Sequence, residues 1–400
     1  MGGKNFGTEA RRFTTAEHDA MFMLARSRTA HFFTSMRTYQ PLKGKETHGD
    51  IDILAGWAGL GWAAPKGSAR GDVEPVDGAD LTGVTIASEP ADLICWCNAI
   101  AHAVGATQWI RSGSCLSTAV PASVLFDAVP TLPGAAAATD FFQVDFMLFP
   151  PEAVEFGVFA FSHGSGLMLL APLLRQSTRV HGLMLHAHCL EFRQHPFPGL
   201  RAVDTHLSHS GAEICKWLGL DYAVWAKGEF DSMDDVYRWL STVDDDSLAA
   251  VALKNIARKG IDRSGRKGTH HKSRLELYPE FIAFLQSTKW APGAEERAAI
   301  AAEVELEREP APEAKLDPDH PKPLTPAEER VLEYWGQRGA YDALVAALEP
   351  EARLLHERQS RPKGLVKFPP KRGSLAEGTT GEGTEEGTAA SNGAAATETA

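Results

Sequence analysis

Two aspartates lie one residue apart in the apolar stretch at residues 49–54 (GDIDIL), a spacing that could hold a metal ion. In a β-strand, residues i and i+2 project from the same face, so Asp50 and Asp52 would point one way while Ile51 and Ile53 enter a core. Two carboxylates on one face repel each other, and ionising both is costly unless a cation lies between them. Magnesium is typically held by one or two carboxylates together with substrate phosphates. We interpret the pair as metal ligands; the alternative is a surface strand with two solvated acids.

A third aspartate lies far along the chain, in residues 141–149 (FFQVDFMLF). Asp145 has apolar neighbours, Val144 and Phe146, which would face the opposite side of a strand. Burying an unpaired acid in so apolar a run is expensive, so we expect Asp145 to have a metal or another cation as its partner. Three aspartates carried by strands of one sheet would form a two-metal site for in-line attack on a phosphate.

Glycine and lysine residues precede the first two acids. Gly49, directly before Asp50, allows a turn to lead into the strand. Lys43 and its neighbour Gly44 begin this segment, and a lysine at such a place can neutralise phosphate charge. The segment therefore favours a phosphate-bearing substrate beside the metal ligands.

Apolar spacing indicates the elements that must position these residues. Helical spacing covers residues 15–33, 88–104, 166–175, 213–218 and 233–240, and residues 328–348 contain one helix or two. Strands are predicted at residues 49–56, 141–149, 155–161 and 183–192. Strands and helices alternate without a regular βαβ rhythm, which favours an α+β fold, a mixed sheet flanked by helices, over a doubly wound sheet.

Composition and charge narrow the class of protein. A chain of 400 residues, 44% of them hydrophobic, can build one large or two modest domains with a substantial core. The formal net charge of −12 excludes a uniformly basic nucleic-acid coat, so any nucleic-acid contact needs a local patch. Five cysteines without a CxxC pair favour reduced thiols. With no signal-peptide pattern or membrane-length apolar run, we expect a soluble intracellular protein, nuclear or cytoplasmic.

The ordered motifs resemble those of the DNA polymerase β-like (family X) nucleotidyltransferases over about residues 15–225. Lys43-Gly44 stands for the family's Arg-Gly, and residues 49–54 match its Gly-Asp-hydrophobic-Asp-hydrophobic-Leu pattern. The family's third aspartate, in a strand ending at proline, is matched by Asp145 and the run to Pro150. Residues 159–165 (FAFSHGS) resemble its aromatic strand and Thr-Gly-Ser turn with one extra residue, and residues 208–222 (SHSGAEICKWLGLDY) resemble a late thumb segment.

The resemblance, together with the composition of the later part of the chain, predicts an architecture in four parts. A nucleotidyltransferase palm would occupy residues 15–175, and a smaller thumb-like α/β subdomain with a basic extension would occupy residues 176–290. A helical linker or extension would follow at residues 291–359. Residues 360–400, rich in Gly, Thr, Glu and Ala, cannot bury much apolar surface and are expected to be disordered.

The resemblance also implies roles for individual residues. Asp50 and Asp52 would bind two Mg²⁺ or Mn²⁺ ions, and Asp145 would bind the catalytic ion and help deprotonate an attacking 3′-hydroxyl. The nucleotide, an NTP or dNTP, would be bound by Lys43, Gly44, Gly49, Gly164 and Ser165, with Lys43 approaching the triphosphate and Gly164-Ser165 beside the sugar. The implied reaction transfers a nucleoside monophosphate to a hydroxyl acceptor with release of pyrophosphate, as a DNA polymerase does.

A basic segment offers one route to a nucleic-acid acceptor. From Lys254 to Arg274 the chain holds eight Lys or Arg against one Asp, a composition that could grip a phosphate backbone. The alternative is a solvated loop.

His181, His186, His188 and Cys189 (HGLMLHAHC) invite a zinc interpretation, but ordinary strand histidines are favoured because structural zinc sites usually pair ligands from two places.

Two other classes of function remain as alternatives. The family's opening Gly-Ser falls at Tyr39-Gln40 in this chain, which favours a catalytically inactive polymerase β-like protein that binds nucleic acid or a protein partner. The three retained aspartates favour an active enzyme. A zinc-stabilised binding module is the third alternative, and it predicts stoichiometric zinc.

Overall fold

The computed structural model describes residues 5–57, 74–76, 92–134, 136–164, 166–180, 182–261, 272–293 and 321–360. The chain divides into one compact unit, residues 1–354, and a second unit, residues 355–400. The helices and strands of the described residues lie in the first unit, apart from the end of the last helix.

A six-stranded mixed sheet carries the aspartates. Its strands, labelled in chain order, are β2 (Ser35–Thr38), β4 (Ile51–Gly56), β5 (Glu74–Pro75), β6 (Gln108–Ser112), β7 (Cys115–Pro121) and β8 (Phe141–Phe149), arranged in the order β2-β4-β8-β7-β6-β5. The β4 and β8 pair is parallel, and the other neighbouring pairs are antiparallel. Two short strands, β1 (Phe13–Thr14) and β3 (Thr47–His48), form a separate antiparallel ladder just before β4.

Three helices pack with this sheet around a first core. They are α1 (Thr15–Thr29), α2 (Asp92–Val104) and α3 (Ala122–Ala128). Thr14 caps α1 through a capping box with Glu17, which satisfies backbone N–H groups that would otherwise lack partners. Ile51 and Ile53 of β4 are fully buried in this core, as the alternation of apolar and acidic residues predicts.

A second core lies after β8 and combines a small sheet with the remaining helices. Strands β9 (Leu183–Leu185), β10 (Leu190–Gln194) and β11 (Val203–Ser208) form an antiparallel sheet in the order β11-β10-β9. The helices are α4 (Val154–Phe161), α5 (Gly166–Thr178), α6 (Gly211–Leu218), α7 (Tyr222–Lys227), α8 (Met233–Ser241), α9 (Leu248–Lys259), α10 (Lys272–Gln286), α11 (Pro326–Tyr334) and α12 (Arg338–Ser360). The α+β class, a mixed sheet flanked by helices, is therefore confirmed; the boundaries of palm, thumb-like part and extension stay a prediction.

Two element predictions are wrong. Residues 155–161 were expected to form a strand, but they lie in the helix α4. Nearly every residue there is apolar, and α4 is buried on several sides. The sequence therefore lacks the alternation of apolar and polar residues that distinguishes a helix from a strand. Residues 183–192 were expected to form one strand and instead form β9, a tight turn and β10.

Several predictions fall on residues outside those that the structure describes. They include Ser165, His181, residues 88–91 at the start of the predicted second helix, residues 262–271 of the basic segment, residues 294–320 of the predicted linker and residues 361–400 of the tail. Among the helices of the described part, none has the length and apolar character needed to cross a bilayer.

Helices α4 and α6 approach so closely that glycine is required at their contact. A Cβ on Gly211 would lie 2.6 Å from Cδ2 of the Phe159 ring, a distance that forces a shift of the ring or of the helix. We expect Gly211→Ala to lower the free energy of unfolding by about 1–3 kcal/mol, measured by denaturant titration.

Gly339 provides the matched control, because it is also helical but has no atom within 4 Å of a built Cβ. Gly339→Ala should be neutral or stabilising by up to about 1 kcal/mol. Equal effects of the two substitutions would contradict the proposed close approach.

Candidate metal centre

The parallel pairing of β4 with β8 brings the three predicted aspartates together. Asp52 lies directly opposite Asp145 in the register of the two strands, and Asp50 immediately precedes β4. Each carboxylate offers one oxygen to a group in which all three oxygens lie within 4.8 Å of one another. Residues almost a hundred positions apart in the sequence therefore form one acidic cluster, and their roles within it stay a prediction.

Burial makes this cluster electrostatically unfavourable without a cation. Burial raises the pKa of Asp52 well above its usual range, and the charges of Asp50 and Asp145 raise it further. Burial also raises the pKa of Asp50, opposed by the charges of Lys45 and Arg12. The three acids are thus held where their ionised forms are disfavoured.

Asp145 is the most enclosed of the three, with 7% of its surface exposed. Burial raises its pKa to about 7, and the charge of Asp50 contributes, whereas hydrogen bonds from Ser117 and Gln143 oppose the shift. The Gln143 amide donates to both carboxylate oxygens, at 2.9 Å and 3.1 Å. The amide thereby fixes the orientation of the carboxylate and favours its ionised form.

The donor set fits a divalent cation that prefers oxygen ligands. Carboxylates of Asp50, Asp52 and Asp145 are the ligands that Mg²⁺ and Mn²⁺ favour. A bound cation would also offset the mutual repulsion that raises the pKa of these acids. The residues present therefore fit the metal that the sequence pattern predicts.

The segment before the acids is tied to the second core. The backbone N–H of Lys43 donates to the Phe230 carbonyl at 2.9 Å, and that of Gly44 donates to the Asp231 carbonyl at 3.1 Å. Gly44 has no room for a side chain, because a Cβ there would lie 2.6 Å from the Asp231 oxygen. The Lys43 side chain is exposed, as is that of Lys45. Sequence reasoning chose Lys43 and missed Lys45.

The positive charge of Lys45 interacts with the carboxylates of Asp50 and Asp52. Although much of this side chain is exposed, partial desolvation of its ammonium group lowers its pKa, while the charges of Asp50 and Asp52 raise it. Gly49, the remaining glycine of this segment, is buried between His48 and Asp50. The KGKETHGD pattern contained both lysines, but only the folded register shows which of them faces the cluster.

The turn predicted to lie beside the nucleotide sugar follows α4. Gly164 has a left-handed φ of +69°, as the sequence Ser-His-Gly-Ser suggests for a turn. A Cβ there would lie 3.1 Å from Cδ1 of Leu42, so the turn packs next to the segment that leads to Lys43. Ser165 lies outside the described residues, and its role stays a prediction.

Tyr39 is another residue beside the cluster that the sequence did not reveal. Tyr39 follows β2, whose last pair aligns Thr38 with Ile53, so the next position falls opposite Asp52. Tyr39 is buried, and burial together with the charges of Asp52 and Asp50 raises its pKa. Its position depends on strand pairing, which local sequence does not reveal.

His18 and His48 form the other missed feature, a buried pair with ring centroids 4.3 Å apart. Burial lowers the pKa of His48 to about 4, and the charge of His18 lowers it further, so the ring is neutral at physiological pH. Neither ring nitrogen of His48 has a hydrogen-bond partner among the described residues. In the sequence, only the position of His48, two residues before Asp50, could have indicated that this pair lies near the acids.

Comparison with known proteins adds little to this site. No family model matches the chain, and no curated protein matches it either. Among solved structures, the chain is similar to a crystal structure of Leishmania infantum polymerase beta in a ternary P/T complex, with 14% identity and a TM-score of 0.29. The match covers 48% of this chain and 62% of that one, so it spans less than two thirds of the polymerase. A likeness this slight carries no argument about function, and the functional conclusion therefore depends on the geometry of the site.

Proposed function

We propose that this chain is a metal-dependent nucleotidyltransferase that transfers a nucleoside monophosphate from an NTP or dNTP to a hydroxyl acceptor and releases pyrophosphate. The observation that supports the proposal is the buried cluster of Asp50, Asp52 and Asp145 on neighbouring parallel strands. Three neighbouring carboxylates disfavour one another's ionised forms. Divalent cations that also bind a triphosphate would offset this repulsion.

Each side chain of the cluster has a role in this reaction. Mg²⁺ or Mn²⁺ bound by the three aspartates would supply charge neutralisation at the phosphates and acidify the attacking hydroxyl. Asp145 accepts the hydroxyl proton at a carboxylate oxygen, and the Gln143 amide holds that carboxylate in place. The acceptor oxygen bonds to the α-phosphorus as the bond to the pyrophosphate oxygen breaks. Without metal, burial raises the pKa of Asp145 to about 7, and a bound cation would lower it so that the carboxylate is ionised and able to accept a proton at neutral pH.

The substrate contacts extend the proposal to the surrounding segments. Lys43, Gly44, Gly49, Gly164 and Ser165 are proposed to bind the nucleotide, and Lys45 joins them because its charge acts on the acids. A nucleic-acid acceptor would be bound by the basic segment from Lys254 to Arg274, of which α9 and the start of α10 are described.

One observation favours the second candidate, a catalytically inactive protein that binds nucleic acid or a protein partner. Gln40 aligns with the family's serine, and its backbone N–H and carbonyl both form hydrogen bonds to residues just after α4. Its backbone N–H donates to the Ser162 hydroxyl at 3.0 Å, and its carbonyl accepts from the His163 N–H at 2.7 Å. The backbone that would contact a triphosphate at this position is therefore occupied by contacts within the protein.

A transfer assay separates the two candidates. We expect the full chain to incorporate label from a mixture of α-labelled NTPs and dNTPs into oligonucleotide or small-molecule hydroxyl acceptors in the presence of Mg²⁺ or Mn²⁺. Asp145→Ala should abolish incorporation because it removes both the metal ligand and the proton acceptor. Absence of incorporation with every acceptor, alongside undiminished nucleic-acid binding, would support the inactive alternative.

The Gln143 amide should set the pH dependence of the reaction. Gln143→Leu removes two hydrogen bonds that favour ionised Asp145, so the pKa of that carboxyl should rise. We expect the acid limb of the kcat/KM profile to move to higher pH, measured across about pH 5.5–9 at fixed metal concentration.

Gln176→Leu is the matched control, because Gln176 donates to the Gly260 carbonyl in the second core, away from the acids. The acid limb should not move in this variant. A Gln143→Leu profile that overlays the unmodified one would show that Asp145 does not govern the rate.

A further inference from the structure

A cluster of metal-binding side chains surrounds the turn between β9 and β10. The turn is closed by the His186 N–H, which donates to the Cys189 carbonyl at 2.9 Å. It carries His186, His188 and Cys189, and Glu191 follows two residues later on β10. Four side chains able to ligate a metal thus lie within six residues of one hairpin.

The distances among these side chains approach those of a metal site. His188, Cys189 and Glu191 each offer one ligand atom, and these atoms lie within 4.8 Å of one another. The Cys189 thiol donates to Oε1 of Glu191 at 3.4 Å, and Nε2 of His186 lies 3.1 Å from Oε2 of Glu191. Ligand atoms around a tetrahedral zinc ion lie about 3.3–3.8 Å apart, given zinc bonds of about 2.0–2.3 Å. Movements on the order of 1 Å would therefore bring His188, Cys189 and Glu191 into coordination. His186 is the fourth candidate ligand because its Nε2 already contacts Glu191.

Two more histidines lie next to this hairpin, one on β11 and one just after it. Glu191 pairs with His206 of β11 in the sheet register, and the rings of His206 and His209 lie 4.0 Å apart. Nδ1 of His209 lies 2.8 Å from the His188 carbonyl, and because a carbonyl only accepts, Nδ1 is the donor. This hydrogen bond holds the backbone of the turn from the side of β11, as outer partners do at metal sites.

The sequence pattern alone favoured ordinary strand histidines, and two structural features weigh against that interpretation. Glu191 was absent from the sequence motif, and it now contacts both Cys189 and His186. Cys189 has 1% of its surface exposed and turns its thiol towards the carboxylate rather than into an apolar core. Imidazole, thiolate and carboxylate around one point make a mixed donor set that suits Zn²⁺.

We propose that this chain binds one Zn²⁺ through His186, His188, Cys189 and Glu191, at a site separate from the aspartate cluster. Binding displaces the thiol proton of Cys189 to solvent, leaving a thiolate ligand. The ion closes the β9–β10 turn, since its ligands come from that turn and the start of β10, so its role is structural. The proposal is independent of the nucleotidyltransferase activity, because none of its ligands belongs to the acidic cluster.

Zinc content and cobalt spectroscopy of the full chain test the proposal. The protein is reduced, stripped with a chelator and titrated with Zn²⁺ against a chromophoric competitor, and bound metal is counted by elemental analysis. We expect one zinc per chain, and the Kd should weaken by at least about tenfold in His188→Gln. Co²⁺ in place of zinc should give a near-ultraviolet thiolate charge-transfer band, which carboxylate ligands cannot produce.

Matched variants locate the thiolate. Cys189→Ser should abolish the charge-transfer band, whereas Cys95→Ser, which alters an exposed cysteine on α2, should retain it. His195→Gln, a histidine outside the cluster, should keep the original zinc affinity. Asp52→Asn should keep the band as well, which separates this site from the aspartates.

The outcomes either support or overturn the proposal. If Cys189→Ser fails to fold, a cobalt band in the intact chain still requires a cysteine ligand, and its loss in folded His188→Gln assigns that ligand to this turn. Absence of the band in the intact chain, absence of stoichiometric zinc, or a band that persists in folded Cys189→Ser would each overturn the assignment.

Discussion

Asp52→Asn should reduce nucleotide transfer by at least about 10²–10³-fold while leaving the metal-free protein as stable as the unmodified chain or more stable. The loss of activity follows from removing one charged group of the proposed metal site. The gain in stability follows because Asp52 is buried beside Asp50 and Asp145, whose charges raise its pKa further. Asparagine keeps the shape of the side chain and removes its charge, so it relieves repulsion within the cluster. Initial rates and denaturant titrations in a chelator measure the two effects.

Asp127→Asn makes the same chemical change on the exposed end of α3, outside the cluster. It should alter neither the rate nor the stability. Undiminished transfer by Asp52→Asn would reject the proposed site. A carboxylate that is repelled by its neighbours does not stabilise the fold. A loss of several kcal/mol of stability together with the loss of activity would therefore show that Asp52 has a structural role instead.

The second large effect is a fall in the stability of the metal-free chain between about pH 4 and pH 7. Burial raises the pKa of Asp145 to about 7, so the folded chain binds more protons than the unfolded chain across this interval. Stability from this group is therefore complete below the unfolded pKa and is lost as the pH rises through the folded one. From pH 5 to pH 7 the loss should be on the order of 2 kcal/mol, measured by denaturant titration in a chelator.

Divalent metal should reverse this loss. Mg²⁺ or Mn²⁺ at about a hundred times its Kd should stabilise the folded chain by about 2.7 kcal/mol at pH 7.5, where the carboxylates can ionise, and by much less at pH 5. Asp145→Asn should flatten the pH dependence in chelator and reduce the response to metal. A response to metal that survives Asp145→Asn and Asp52→Asn unchanged would mean that the ions bind elsewhere.

The residue types of the candidate site could be read from local sequence, whereas their assembly into one cluster could not. The i, i+2 spacing of Asp50 and Asp52 between buried isoleucines predicts both the strand and the face on which the acids lie. An isolated acid in an apolar run marks Asp145 as a partner for a cation. The direct pairing of Asp52 with Asp145 depends on the parallel register of β4 and β8, and register is decided by contacts between distant segments.

The same limit explains the residues that sequence reasoning missed or misplaced. Tyr39 lies beside the acids because β2 pairs with β4, and Gln143 supports Asp145 because the two residues share a face of β8. Apart from Glu155, residues 155–161 are apolar, so their pattern lacks the period that would have identified α4 as a helix. Glu191 belongs to the zinc proposal only through a turn that the sequence did not reveal.

The hydrogen bonds from Lys43 and Gly44 to the backbone at Phe230 and Asp231 have a mechanical consequence. The loop that leads to Asp50 continues into β4 at one end and is hydrogen-bonded to the turn before α8 at the other. A movement of α8 that keeps these hydrogen bonds would therefore shift Lys43 and Gly44, which lie seven and six residues before Asp50. The position of this acid is thus coupled to the start of α8.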